Sequence, residues 1–175
     1  MLRKLRHGYI WKRIFFERFT EPLHLNLLGL FVFFFGTFRL KVLFDLVLRP
    51  HNAYAILKAA DDAKKLGIKT ISLIEFGVSS GTGLMNMTRI AKKVSKLTGV
   101  RINLYGFDTG EGMPPPVDYR DHPDIYQVGD DAMPVQMVTD NLDDNVRLIL
   151  GNVSDTVADF IAHLPEDEPI GYIVF

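Results

Sequence analysis

Cysteine is absent from the 175 residues, and with it go disulfides, thiolate metal sites and cysteine nucleophiles. A surplus of either charge is absent too. Lys and Arg number 20 against 21 Asp and Glu, a net charge of −1 that gives no global electrostatic case for nucleic acid. There is no internal repeat, and no low-complexity tract beyond Pro114–Pro116. His24, His51, His122 and His163 fall at spacings that suggest no ligand set. Asp118, Asp121, Asp124, Asp130 and Asp131 lack the regular spacing of a calcium loop and read as a solvated acidic stretch. No metal site is assigned. What is present is an apolar content of 47%, enough over this length for a single domain with a real core.

The even charge balance hides an asymmetry. Residues 1–20 carry Arg3, Lys4, Arg6, Lys12, Arg13 and Arg18 against Glu17 alone, while acids crowd the second half from Asp108 to Glu168. Charge then vanishes for 17 residues, from Pro22 to Phe38. That run sits at the short end of a membrane span, and His24, Asn26, Gly29 and Gly36 dilute it. A cleaved signal peptide fits poorly, because the apolar part starts late and no small-x-small site follows. The cluster Ile10–Phe16 interleaves aromatics with cations, as interfacial helices do. Aromatic–basic interleaving also occurs in single-strand nucleic-acid binders, but this segment is short and isolated, so no nucleic-acid partner is expected. Two readings of residues 1–50 stay open: a hydrophobic helix covering the sheet or a second subunit in a homo-oligomer, and membrane association, either peripheral contact through residues 10–38 or insertion of the apolar run.

From residue 51 the pattern becomes regular. Arg49-Pro50 breaks the N-terminal pattern, and Ala53 to Leu66 repeats apolar residues at helical spacing, ending at Gly67. Thr70 to Phe76 reads as a strand, Leu84 to Leu97 as a helix, and Arg101 to Phe107 as a second strand. Residues 109–135 form a long proline-bearing loop, a length that is usually functional in a compact domain. A short helix over about 133–142 precedes a third strand at Val146 to Leu150, then a helix from Thr156 to Leu164 and a fourth strand from Ile170 to Phe175. This alternation predicts an α/β fold with a parallel sheet and right-handed crossovers. The sequence closes inside a buried-strand pattern, Gly171–Phe175, so it is expected to be a fragment of a longer protein.

The most informative stretch is Ile71-Ser-Leu-Ile-Glu75-Phe-Gly77-Val78-Ser79-Ser-Gly81-Thr-Gly83. An apolar strand ends in a carboxylate and drops into a glycine-rich turn with a helix behind it, the strand–loop–helix unit of nucleotide-cofactor folds. A phosphate cradle wants backbone N–H groups and positive potential. An acid there suits a cationic or hydroxyl-rich ligand, and S-adenosylmethionine has an ammonium, a sulfonium, a ribose diol and no phosphate. Gly77-x-x-x-Gly81-x-Gly83 also has the spacing of short-chain dehydrogenases, so a dinucleotide stays an alternative, as does a tight turn with no ligand. At the end of the second strand Asp108 stands where ribose hydroxyls are held in doubly wound folds, with Glu111 a second candidate. The competing reading is that Asp108 caps the turn after it.

Glu75-Phe-Gly-Val-Ser-Ser-Gly followed by Gly106-Phe-Asp-Thr-Gly-Glu-Gly-Met-Pro resembles class I S-adenosylmethionine-dependent methyltransferases, most of all the macrocin O-methyltransferase branch and its uncharacterised bacterial relatives. The resemblance covers roughly residues 52–175. It implies a Rossmann-like doubly wound sheet of seven strands, of which this chain would supply the first four; the hydrophobic N-terminal helical segment before it is read from the apolar run alone. It implies S-adenosyl-L-methionine as cofactor and O-methyl transfer to a small-molecule or sugar-like acceptor. The expected location is cytoplasmic, and membrane association through the N-terminal segment stays open. Glu75, Gly77 and Gly81 fall on the family's acid and glycine positions. Ser79 replaces the middle glycine, and Gly110 stands where relatives often have an aromatic. Asn152 and Val153, after the third strand, match the region that lines the adenine, and the segment reads equally as an ordinary turn and N-cap before the helix at Thr156. Further acids follow the fourth strand in this branch, beyond Phe175, so no catalytic residue is named. Two other readings remain: a short-chain-dehydrogenase-like oxidoreductase, whose Asn-Asn-Ala-Gly turn is missing, and a non-catalytic module that binds a partner or a membrane.

Overall fold

The computed structural model describes residue 12 and residues 22–175; the aromatic–basic cluster at 10–16, apart from Lys12, and the rest of the cationic stretch lie outside the described residues. The chain divides into two compact units, with the division falling along the sequence between Tyr54 and Ala55.

From residue 22 onward the first unit contains two short helices, α1 (Leu23–Phe35) and α2 (Phe38–Leu43), before the start of the helix at Pro50. The uncharged run is therefore not one continuous helix. Gly36 stops α1: its N–H bonds the Val32 carbonyl at 2.8 Å, and a Cβ there would sit 2.5 Å from that oxygen. Thr37 then opens α2, its hydroxyl accepting from the Leu40 amide at 3.3 Å. Val32, Phe33 and Leu46 form a small buried cluster with Phe34 and Phe44 against it. The 13 residues of α1 make a rod of about 20 Å, against about 30 Å of bilayer hydrocarbon. Among the described residues no helix is long and apolar enough to cross a membrane.

The second unit is an α/β fold around one four-stranded, all-parallel sheet. Its elements are α3 (Pro50–Lys65, which runs across the division), β1 (Thr70–Phe76), α4 (Thr82–Thr98), β2 (Arg101–Asp108), α5 (Val135–Asp140), β3 (Val146–Leu150), α6 (Val153–His163) and β4 (Ile170–Val174). The strand order is β3-β2-β1-β4. The chain steps outward from β1 to β3 and then crosses to the other side of β1, so the order reverses between β1 and β4.

Sequence pattern accounts for these elements. Pro50 opens α3 three residues earlier than apolar spacing suggests, because the first helical position has no use for an N–H. α4 buries Leu84, Met87, Ile90, Ala91 and Val94 and exposes Arg89, Lys92, Lys93 and Lys96. It ends at Gly99, whose φ of 80° needs no Cβ. α6 begins three residues before the expected Thr156, since Asn152 caps it: its side chain accepts from the Ser154 amide at 3.0 Å.

The two faces of the sheet are covered by different helices. On one, Ile74, Tyr105 and Phe107 form a cluster with Phe76, Ile149 and, from α6, Phe160. On the other, Leu84 of α4 and Val78 press against Gly106, where an added Cβ would lie 2.9 and 2.7 Å from them. β1 is buried at every residue but its first and last, as a central parallel strand must be. Each large apolar side chain fully buried there contributes about 1.5–3 kcal/mol.

Candidate functional site

The glycine loop leaves β1 and enters α4 through alternating left-handed residues: Gly77 at φ 79°, Ser79 at 47° and Gly81 at 77°. A non-glycine residue in that region costs about 1–2 kcal/mol, so Ser79 must be held there by its neighbours. The hold is visible. The Ser79 amide donates to Asp108 Oδ2 at 2.8 Å, and the Gly110 amide donates to Asp108 Oδ1 at 2.8 Å. Asp108 thus ties the β1 loop to the β2 turn, and its carboxylate keeps lone pairs for a further donor. The Gly110 bond is the turn cap that the competing reading of Asp108 expects.

The glycines have separate reasons to be glycine. At Gly77 nothing lies within 4 Å of an added Cβ, so backbone conformation alone excludes a side chain. At Gly81 an added Cβ would also meet Val138 of α5 at 2.9 Å, a packing constraint. Gly83 is buried inside α4.

Over this loop the structure opens a cavity of about 310 Å³, lined by Gly77, Ser79, Phe107, Asp108, Thr109, Gly112, Met113, Pro114, Asp130, Asp131 and Val153. The long segment after β2 supplies its far wall. The Met113 amide donates to Asp130 O at 2.8 Å and the Gly129 amide to Met113 O at 2.9 Å, pinning the base of the excursion. Gly112, at φ 88°, lets that pairing form: a Cβ would lie 2.5 Å from Asp130 O. Asp130 and Asp131, read from sequence as a solvated acidic stretch, are exposed but line this cavity. Spacing alone gave them no role. The available signal was the length of the loop and the Gly129-Asp-Asp turn.

Of the residues singled out by sequence, Gly77, Ser79, Asp108 and Val153 come together on the cavity wall. The others do not line it. Val78 is turned into the core against Gly106, and Glu111 is exposed on the β2 turn. Asn152 caps α6 and borders a neighbouring cavity of about 430 Å³ formed by Met113, the three prolines Pro114–Pro116, Arg120, His122 and Tyr126. Met113 and Pro114 line both cavities, so the two adjoin. Glu75 is buried at the end of β1 with 6% of its surface exposed. Its charge is felt by Tyr172 of β4, whose phenol is pushed above its ordinary value by burial first and by the Glu75 carboxylate second.

Comparison with protein-family models, with curated proteins and with solved structures finds no match for this chain. The chemistry of the site rests on its own residues. The wall described here holds three carboxylates, Asp108, Asp130 and Asp131, and no Lys, Arg or His. Such a lining repels a pyrophosphate and attracts a cation or hydroxyl donors. No group of three or more His, Asp or Glu side chains is placed to hold a metal ion among the described residues.

Proposed function

We propose that residues 51–175 form a Rossmann-like, doubly wound S-adenosyl-L-methionine-binding domain of a methyltransferase that acts on a hydroxyl of a small-molecule or sugar-like acceptor. The observation that carries this reading is the anionic cavity beside a left-handed glycine loop at the carboxyl ends of β1 and β2. In parallel α/β sheets this end, next to the point where strand order reverses, is where ligands bind. Asp108 has acceptor capacity for the ribose hydroxyls, and Gly77 and Ser79 offer close-approaching backbone. Asp130 and Asp131 complement the positive sulfonium and ammonium. The strand-end Glu75 sits beneath this loop and adds negative potential. S-adenosylmethionine held by these residues would supply an electrophilic methyl group for transfer to the acceptor hydroxyl, with S-adenosylhomocysteine and a proton as the other products. The adjoining cavity bounded by Pro114–Pro116, Arg120, His122 and Tyr126 is the place for the acceptor. Next to its Arg120, Asp118 is held below its usual range by the Arg120 guanidinium and then by the Arg120 backbone amide, which fixes this corner of the loop. We place the reaction in the cytoplasm, where this cofactor is made and consumed.

Calorimetry tests the reading directly. The chain should bind S-adenosylmethionine or S-adenosylhomocysteine in preference to NAD or NADP. Asp108→Ala removes charge-assisted hydrogen bonds of about 1.5–3 kcal/mol and should weaken binding roughly tenfold or more. NAD binding without adenosylmethionine binding would identify a dehydrogenase-like module instead.

A further inference from the structure

The exposed face of α1 is apolar where a helix on a globular surface is normally polar. Leu23, Leu27, Leu28, Phe31 and Phe35 are 75, 62, 45, 60 and 72% exposed and fall on one side of the helix, opposite the buried Gly29, Val32 and Phe33. His24, also exposed, is the one polar residue among them. The Phe31 and Phe35 rings lie 5.2 Å apart, so the side chains form a continuous surface. Leu43 of α2, 71% exposed, adds to the apolar surface of the unit. A contiguous apolar face of this kind marks a protein or membrane contact.

We infer that α1 docks flat on an anionic lipid surface, with its Leu23–Phe35 face in the headgroup–acyl boundary. Charge selects the occupant. Residues 1–20, immediately before α1, carry six cations and one acid in sequence, Arg3, Lys4, Arg6, Lys12, Arg13 and Arg18 against Glu17. Lys12, the described member of that group, is exposed. Polybasic segments beside an amphipathic or apolar helix are drawn to anionic lipid, and the apolar face supplies the second signal that stable binding requires. The length of α1 agrees with a helix lying in the interface, since 13 residues do not span the hydrocarbon. This inference does not depend on the identity of the cofactor.

Vesicle co-sedimentation of the whole chain decides it. Phosphatidylcholine vesicles containing about one-third phosphatidylglycerol should bind the chain at least about tenfold better than phosphatidylcholine alone, with the difference shrinking at high salt. Trp11 is the only tryptophan, so its emission should shift to the blue on adding the anionic vesicles. Phe31→Glu with Phe35→Glu should abolish both signals while leaving the circular dichroism spectrum unchanged, because both side chains are exposed. Equal binding to both vesicle types, binding that survives the double substitution, or no binding at all would overturn the inference. So would a dimer in light scattering that the double substitution dissociates, which would make a second copy the occupant.

Discussion

The two halves of the parallel sheet use carboxylates in opposite ways. Toward the amino ends of the strands, Glu168 is buried with 7% exposure and accepts from the Ser72 hydroxyl at 2.5 Å and the Tyr105 hydroxyl at 3.1 Å. Its partners are side chains of the core, and it closes β4 onto β1 and β2. At the carboxyl ends, Asp108 accepts only from backbone amides of two turns, and Asp130 and Asp131 stand on an open wall. Glu168 is enclosed among core side chains, whereas Asp108, Asp130 and Asp131 line an open cavity. A buried acid is therefore not a site by virtue of its burial, and what separates the two cases is whether the carboxylate borders a cavity or the packed core.

Phe107 offers the strongest way to break that comparison, because it belongs to both regions. Its ring packs on Phe76 at 5.1 Å and Phe160 at 5.2 Å and also lines the cavity. Phe107→Ala should cost about 3–5 kcal/mol in urea unfolding and also impair cofactor binding. Glu168→Ala sharpens the contrast: two buried hydroxyls lose their acceptor, a cost of about 1–3 kcal/mol, with cofactor affinity unchanged in calorimetry. A parallel loss of affinity would show that the two halves are not separable. Gly77→Ala should do the reverse, costing about 1–2 kcal/mol in a thermal melt through its left-handed φ while weakening cofactor binding more than any residue of the Glu168 cluster.

The smallest effect is at high pH. Burial, and then the Glu168 carboxylate, push the Tyr105 phenol above its ordinary value of 10.0. The folded chain holds this proton more tightly than the unfolded one. The resulting stability is full below about pH 10 and lost as pH rises through the folded value. Tyr105→Phe should flatten that alkaline loss in pH-dependent melts and cost about 1 kcal/mol at neutral pH.

Much of the fold was legible because period and punctuation agree. β1 runs over Thr70–Phe76 and β3 over Val146–Leu150, as their apolar runs and flanking turn residues imply. Boundaries moved where a single residue overrides periodicity: Pro50 at the start of α3, Asn152 at the cap of α6, Gly36 between α1 and α2. The site was legible in part. Gly77, Ser79 and Asp108 are marked by strand-end position, a local signal, and they do meet on one wall.

By itself, then, the sequence determined the alternation of strands and helices, the glycine loop and the acid at the end of β2, since each depends on residues adjacent in the chain. Tertiary structure alone decided that Val78 points into the core, that Asp108 spans two turns, that Glu168 is satisfied by Ser72 and Tyr105, and that Asp130 and Asp131 face the glycine loop. Each of these joins segments far apart in sequence, and no local periodicity records which carboxylates the packing of the sheet will use and which it will leave at the rim.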